Sequence, residues 1–433
     1  MQKYYDIIHE IDNTTFAVES DDACIGEMVS VHKHDGTILF GSVIAFDAVK
    51  AIIQVMGSTK GLSTCDKVRF LRRGVNVSFG DSILGRILNA LGKPIDGGPS
   101  IEGVATSINS PSINPVKRKI PHHRIETRIP MIDLFNSLVE SQKIPIFSVP
   151  GEPYNNLLMR IANQTDADVV VIGIMAARFD DITAFIENAK LTGSLQRTVM
   201  FIHKATDYPA ECLLVPDMAL TVAEKFAQMG KRVLVLLTDM TAFADALKEI
   251  AVSLEQIPSN RGYPGSLYSD LAFRYEKAVD LEDAGSVTII SAVTMPGDDV
   301  THPIPDNTGY ITEGQLYLRH HRIEPFGSLS RLKQNVIGGS SSREDHGDIM
   351  NTMIRLYAGS LKARELHGMG FNLSQWDQKL MHYGTIFEEK LMNLEVNISL
   401  LEALDLSWNI LSQCFEPQEV GINQELIKKF WKK

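Results

Sequence analysis

The chain has 433 residues, enough for two to four domains that each bury a core. Hydrophobic residues at 44% and charged residues at 22% describe an ordinary globular protein, and a net charge of −11 spread along the chain opposes a nucleic-acid partner, whose phosphates call for a dense Lys/Arg surface. Cys24, Cys65, Cys212 and Cys414 lie far apart with no C-x-x-C pair, so neither a zinc site nor a disulfide framework is indicated, and a reducing cytoplasm is expected.

In chain order, residues 1–11 lack the basic and apolar regions of a signal peptide. Short β-rich runs follow at 28–31, 37–45, 51–56 and 67–71, with Asp35-Gly36 as a tight hairpin signal between the first two. They predict a small β-barrel over residues 1–73. From 74 to 347 apolar strands at 144–149, 169–175, 199–203, 233–238 and 287–293 alternate with helical stretches such as 241–256. Near-continuous Val/Ile/Leu runs fit parallel strands buried on both faces, so this part reads as a doubly wound α/β domain with ligand loops at the strand C-terminal ends. From 348 to 433 the β signal vanishes, and apolar spacing predicts helices at 349–369, 373–394 and 398–412. The longest apolar runs, such as 233–237, are too short to span a bilayer, so any membrane role must pass through partner proteins.

The first buried strand ends in Ser148-Val149-Pro150-Gly151-Glu152-Pro153-Tyr154-Asn155 and enters a helix expected at Leu157. An ATPase phosphate loop reads G-x-x-x-x-G-K-[ST] here: glycines let backbone N–H groups close on phosphates, Lys neutralises them, and the hydroxyl holds magnesium. On that pattern Ser148 and Pro153 replace the glycines, Tyr154 the lysine and Asn155 the hydroxyl residue, and proline has no N–H to offer. The next strand runs into Ala176-Ala177-Arg178, where catalysis would need a glutamate to activate water. Asp180-Asp181 read as capping residues of the following helix. Asp239, closing an apolar strand, is either a Walker-B-like acid or a helix cap. His122-His123 and His320-His321 read as surface pairs, since neighbours on an extended chain point to opposite faces, and no metal site is expected.

Several strings carry a resemblance. Gly85-Arg86-Ile87 with Leu91-Gly92-Lys93-Pro94-Ile95-Asp96-Gly97-Gly98-Pro99, Pro258-Ser259-Asn260-Arg261-Gly262-Tyr263-Pro264-Gly265 and Tyr268-Ser269-Asp270-Leu271-Ala272 are similar to segments of rotary-ATPase nucleotide domains. So are Met295-Pro296-Gly297-Asp298-Asp299-Val300-Thr301-His302-Pro303-Ile304-Pro305-Asp306 and Thr308-Gly309-Tyr310-Ile311-Thr312-Glu313-Gly314-Gln315. Ser328-Leu329-Ser330-Arg331-Leu332 and Ser342-Arg343-Glu344-Asp345-His346 resemble the non-catalytic, B-type subunits of the V-type family, and the degenerate loop points the same way. The loop is poorer in glycine than is usual there, and Gly338-Gly339-Ser340-Ser341 replaces a more charged stretch.

The resemblance implies a non-catalytic subunit alternating three-plus-three with catalytic, A-type subunits around a central stalk, braced by peripheral stalks and lying at the cytoplasmic face of the membrane without entering it. ATP or ADP with magnesium would sit at the A–B boundary, bound mainly by the partner and not tightly by this chain, and the complex would couple ATP synthesis or hydrolysis to H⁺ or Na⁺ transport. It further implies that Arg331 is an arginine finger acting in trans, that Ser330, Tyr154 and Asn155 face the nucleotide interface, and that Pro296, Gly297, Asp298 and Asp299 form a rotor-facing loop. Two readings compete. A self-sufficient hexameric motor, such as an RNA translocase or secretion ATPase, needs the phosphate-loop lysine and catalytic glutamate that Tyr154 and Ala176 replace. A catalytically dead interaction module would have no use for Arg331.

Overall fold

A computed structural model of the chain describes residues 8–47, 49–338 and 341–431, so the expectations for residues 1–7 and for Gly339-Ser340 lie outside the described residues. At the N-terminus six antiparallel strands form a β-barrel domain, in the order Ile8–Ile11, Thr15–Glu19, Lys50–Met56, Ile38–Asp47, Met28–His32, Lys67–Phe70. Alternate residues such as Val29, Val31, Ile53, Val55 and Val68 fill its interior. The first two strands are only four and five residues long, and Asp12 and Asn13 lie in the turn between them. The Asp35-Gly36 turn is longer than a two-residue hairpin: His32 pairs with Ile38, and Gly36 takes the left-handed conformation at φ 84°.

The central domain is built on a mostly parallel sheet. Its order is Arg322–Ile323, Gly314–Arg319, Lys143–Ser148, Ser286–Thr294, Arg232–Thr238, Val169–Ala177, Thr198–Lys204, Ile87–Asn89, and the first pair is an antiparallel hairpin. The pleat sends alternate side chains into two cores, which is why the strands read as unbroken apolar runs. Val170, Ile172, Leu234 and Leu236 enter one core, while Val169, Val171, Val233 and Val235 enter the other. The first core continues into the C-terminal helical domain through Ile349, Met353, Tyr383 and Phe387.

That domain comprises the helices His346–Gly368, Gln375–Phe387 and Leu400–Cys414. Ser374 with Asp377 and Ser399 with Glu402 form capping boxes that start the second and third of these. A short helix, Gln424–Phe430, was not expected from the sequence. It lays Phe430 against Trp408, with ring centroids 5.9 Å apart.

Candidate functional site

The Lys143–Ser148 strand lies between Ser286–Thr294 and Gly314–Arg319, and its C-terminal end opens into the degenerate loop. The helix after the loop begins at Tyr154, not at Leu157, and Pro153 at its N-cap offers no side-chain cap. Glu152 determines how the loop lies. Its carboxylate accepts from the main-chain N–H groups of His320 and His321, both at 2.7 Å. Those histidines are not extended: φ is 51° and 56°, so they form the tight turn between two hairpin strands and aim successive N–H groups at one anion. Their rings are exposed, as are those of His122 and His123.

Behind the loop is a cleft of about 560 Å³. Tyr154 is partly buried in its wall, and burial, reinforced by the Asp239 carboxylate, pushes its phenol well above the ordinary range. Asn155 accepts from the Thr238 hydroxyl at 3.0 Å, so its carbonyl is already engaged. Asp239 accepts from Thr241 N at 2.9 Å, Thr294 N at 3.2 Å and Thr294 Oγ1 at 2.6 Å. The cap is therefore realised, and the same carboxylate ties the helix to the neighbouring strand. Burial pushes its pKa up, and these donated bonds oppose that shift.

Ala176 is exposed at φ 49° with its N–H on His203 Nδ1 at 3.1 Å, and it brings no acid to the cleft. Asp180 and Asp181 do not cap the next helix: the N-cap is Arg178, and both acids sit in the first turn, where the helix dipole favours them. Arg178, the cationic side chain lining the cleft, is paired with Asp181 at 3.0 Å, while Glu152, Asp181 and Asp239 supply carboxylates. That balance of charge is wrong for a polyphosphate. The described residues contain no group of three or more His, Cys, Asp or Glu arranged to hold a metal ion.

Arg331 lies elsewhere. It follows the short Leu329–Ser330 strand, which pairs with Gly314 and Gln315, and Ile146 faces Leu316 in the next strand. The register places Arg331 beside the start of Lys143–Ser148, whereas the degenerate loop leaves its end; five or six residues at ~3.3 Å each separate the two by roughly 17–20 Å. The Arg331 side chain is exposed, and its N–H bonds to Glu313 O at 3.0 Å. The Glu313 carboxylate is held in turn by Lys143 Nζ at 2.9 Å. Ser330 faces inward instead: it is 1% exposed, donates to Ser137 O at 2.9 Å and accepts from Gln142 Nε2 at 3.0 Å. Its hydroxyl steadies the strand and presents nothing to a ligand, so the expected nucleotide-facing role for Ser330 has no geometric support. Gln142 and Lys143, which fix the backbone on which Arg331 stands, had no motif to announce them.

The loop at residues 296–299 is a tight turn in which Gly297 at φ 67° and Asp298 at φ 56° both take the left-handed conformation. Its two acids are paired separately, Asp298 with Arg319 at 2.7 Å and Asp299 with Arg261 at 2.6 Å. Bonds from Thr301 first, and then from Arg261, hold the Asp299 carboxyl down to about 2. A depressed folded pKa means that this stabilisation is complete above the unfolded value of about 4 and is lost as pH falls from there through about 2. A carbon-13 titration of the Asp299 carboxyl should give a midpoint near 2 that rises toward about 4 in Thr301→Val. An unchanged midpoint would remove Thr301 as the cause.

The same three-part division recurs in known proteins. The nucleotide-binding domain of the ATP synthase alpha/beta family matches residues 128–324, the beta-barrel domain of that family residues 16–72, and the C-terminal domain of V and A type ATP synthase residues 335–431. The V-type ATP synthase beta chain of Protochlamydia amoebophila is 60% identical over 431 residues, covering 100% of this chain and 98% of the relative. The V-type ATP synthase beta chains of Chlamydia felis and Chlamydia muridarum are each 58% identical over 434 residues, covering 100% of this chain and 99% of the relative. With its barrel, its parallel-sheet domain and its helical C-terminus all matched in order, the chain belongs to the beta-chain family of the V-type ATP synthases.

Proposed function

We propose that this chain is the non-catalytic subunit of its complex, supplying Arg331 in trans to an ATP site built mainly by the neighbouring catalytic subunit. The observation that carries the reading is the separation of the two functional ends. The chain's own loop offers no phosphate-binding cation, and Arg331 stands exposed at the opposite end of the same strand, out of reach of that loop. A guanidinium exposed there is open to a ligand held by another chain. Phosphoryl transfer spreads charge over the γ-phosphate oxygens, and a planar set of N–H donors matches them.

In this reading ATP or ADP with magnesium sits at the boundary between the two subunits, three copies of each alternate around a central stalk, and peripheral stalks hold the ring still. The work is coupled to movement of H⁺ or Na⁺ through other subunits at the cytoplasmic face of the membrane. No described helix is long and apolar enough to cross a membrane. In the same reading the chain divides at 1–73, 74–347 and 348–433, and residues 296–299 face the rotor.

The isolated chain is expected to hydrolyse no ATP above background and to bind nucleotide weakly or not at all. Steady-state ATPase and calorimetry on pure protein check both. Robust turnover abolished by changes at Tyr154 or Asn155 would overturn the non-catalytic reading, and micromolar ATP affinity would show that the degenerate loop still works as a phosphate site. Turnover should appear when the catalytic partner is added.

A further inference from the structure

The guanidinium of Arg331 is seated on its own chain. Nη1 donates to the carbonyl of Thr312 at 2.9 Å and Nη2 to that of Gly309 at 3.4 Å. Gly309 is in the last turn of the Pro303–Ile311 helix and Thr312 is its C-cap. Terminal helix carbonyls lack intrahelical partners and carry the negative end of the dipole, so they make a seat for a cation. The seat is firm: the Thr312 hydroxyl donates to Thr308 O at 2.7 Å, with Gly314 O within 3.1 Å of it, and the Thr312 main-chain N–H bonds back to Thr308 O.

The same helix begins at the other end of the sheet. It is the crossover between the Ser286–Thr294 and Gly314–Arg319 strands, which both run parallel to Lys143–Ser148. Nine residues at 1.5 Å each carry it about 13 Å back across the sheet face. Ile304 and Thr308 are fully buried beneath it. Its N-cap is His302, whose N–H bonds to Asp299 O at 3.1 Å, and Pro303 and Pro305 stiffen the first turn. The loop joined to it is clamped on two sides, by Asp298 with Arg319 and by Asp299 with Arg261. Arg331 is thus held at two neighbouring places, its main chain on Glu313 and its side chain on Thr312 and Gly309. Its main chain is tied to the strand, through Glu313 O and the buried Ser330 hydroxyl, and its side chain is tied to the helix. A shift of the helix's last turn moves the Gly309 and Thr312 carbonyls, and the guanidinium seated on them moves too.

We propose that the Pro303–Ile311 helix is a positioning rod for Arg331, and that the ion-paired loop at residues 296–301 sets where the rod holds the guanidinium. The inference rests on the trans role proposed above. Asp298, Asp299, Arg261 and Arg319 are then positioning residues, which touch no nucleotide and act through the helix. The seat suits a cation that must leave it: neutral carbonyls hold the guanidinium less strongly than phosphate oxygens do, so an arriving γ-phosphate captures it. Small misplacements of a transition-state group are costly, so control of the seat is control of the rate.

The test uses the reconstituted ring with its catalytic partner and rotor, comparing Asp298→Asn/Asp299→Asn, Arg331→Ala and the combination. The loop variant is expected to lower kcat by about 10-fold with KM within about two-fold, and to cause no further loss when Arg331 is already alanine. Full multiplication of the two losses would overturn the rod. Near-normal turnover in Arg331→Ala alone would instead overturn the trans role on which it rests. A second measurement needs no assembled ring: phenylglyoxal labelling of the isolated full-length chain, read at Arg331 by peptide mass spectrometry. Labelling should be at least about three-fold faster in the loop variant, because the unclamped helix no longer holds the seat in register. Equal labelling rates at Arg331, with Arg261 and Arg319 labelled faster as their partners are lost, would show that the clamps open without moving the seat and would overturn the proposal.

Discussion

Replacing Arg331 with alanine should leave the ring assembled and reduce ATP turnover on the order of 10³-fold or more, the scale on which phosphoryl-transfer sites depend on such a group. Assembly should survive because the side chain is exposed and its bonds run to two carbonyls of its own chain, where a single cation adds little to a large interface. Arg331→Lys should recover little, since an ammonium cannot present the planar pair of donors. The partner's affinity for nucleotide should change far less than turnover, as expected of a contact made chiefly in the transition state. Steady-state ATPase of the reconstituted complex, with size confirmed by chromatography, decides the matter. An intact Arg331→Ala ring that turns over normally would leave Arg331 a structural residue.

The second large effect lies in the core. Lys277 is wholly buried, with its ammonium 3.1 Å from Glu224, which is itself 7% exposed; beside them Arg274 pairs with Asp217 at 2.7 Å and lies over the Phe243 ring at 4.4 Å. Burial pushes the Glu224 pKa up, and the charge of Lys277 resists that shift. Glu224→Gln keeps the shape and leaves a buried cation without a counter-charge, which should cost about 3–5 kcal/mol. Thermal unfolding of the isolated chain should register a fall of roughly 5–15 °C. Replacing both partners, as Glu224→Leu with Lys277→Met, should restore most of the loss, because no charge is then buried. A fall of less than about 1 kcal/mol in Glu224→Gln would mean that Lys277 is solvated or neutral without its partner.

The architecture was legible wherever burial leaves a pattern. Strands such as Val169–Ala177 and Arg232–Thr238 are covered on both faces, so their apolar runs stand out, and their edges fell within two residues of the expected ones. Elements held by fewer contacts were not legible. The strand Ile8–Ile11 has one clearly buried position, and the helix Gln424–Phe430 spans only about two turns, with Leu426, Ile427 and Phe430 just partly buried, so each leaves too short a pattern to stand out. The missing chemistry of the degenerate loop could be read directly, because it is a matter of residue type: Pro153 has no N–H and Ala176 no carboxylate wherever they point. Direction was hidden. Ser330 and Arg331 are adjacent in the same motif, yet one hydroxyl is buried and one guanidinium exposed, and only the pairing of their strand with Gly314 and Gln315 settles which faces out. The bond from Glu152 to the His320-His321 turn joins residues 168 and 169 positions apart through main-chain donors, which no side-chain pattern can announce.

The placement of the loop and Arg331 at opposite ends of one strand gives the molecule a polarity. A molecule with a donor end and a receiving end associates head to tail, and heterologous contacts of that kind close into rings when the rotation allows. Were every position in such a ring filled by this chain, each guanidinium would meet a cleft lined by Glu152, Asp181 and Asp239, and every junction would be mute. In the ring proposed above, alternation with a protein whose receiving end is intact would make every second junction competent. On that proposal the loss of phosphate chemistry from one chain would space the working sites evenly around the ring and halve their number without changing the number of subunits.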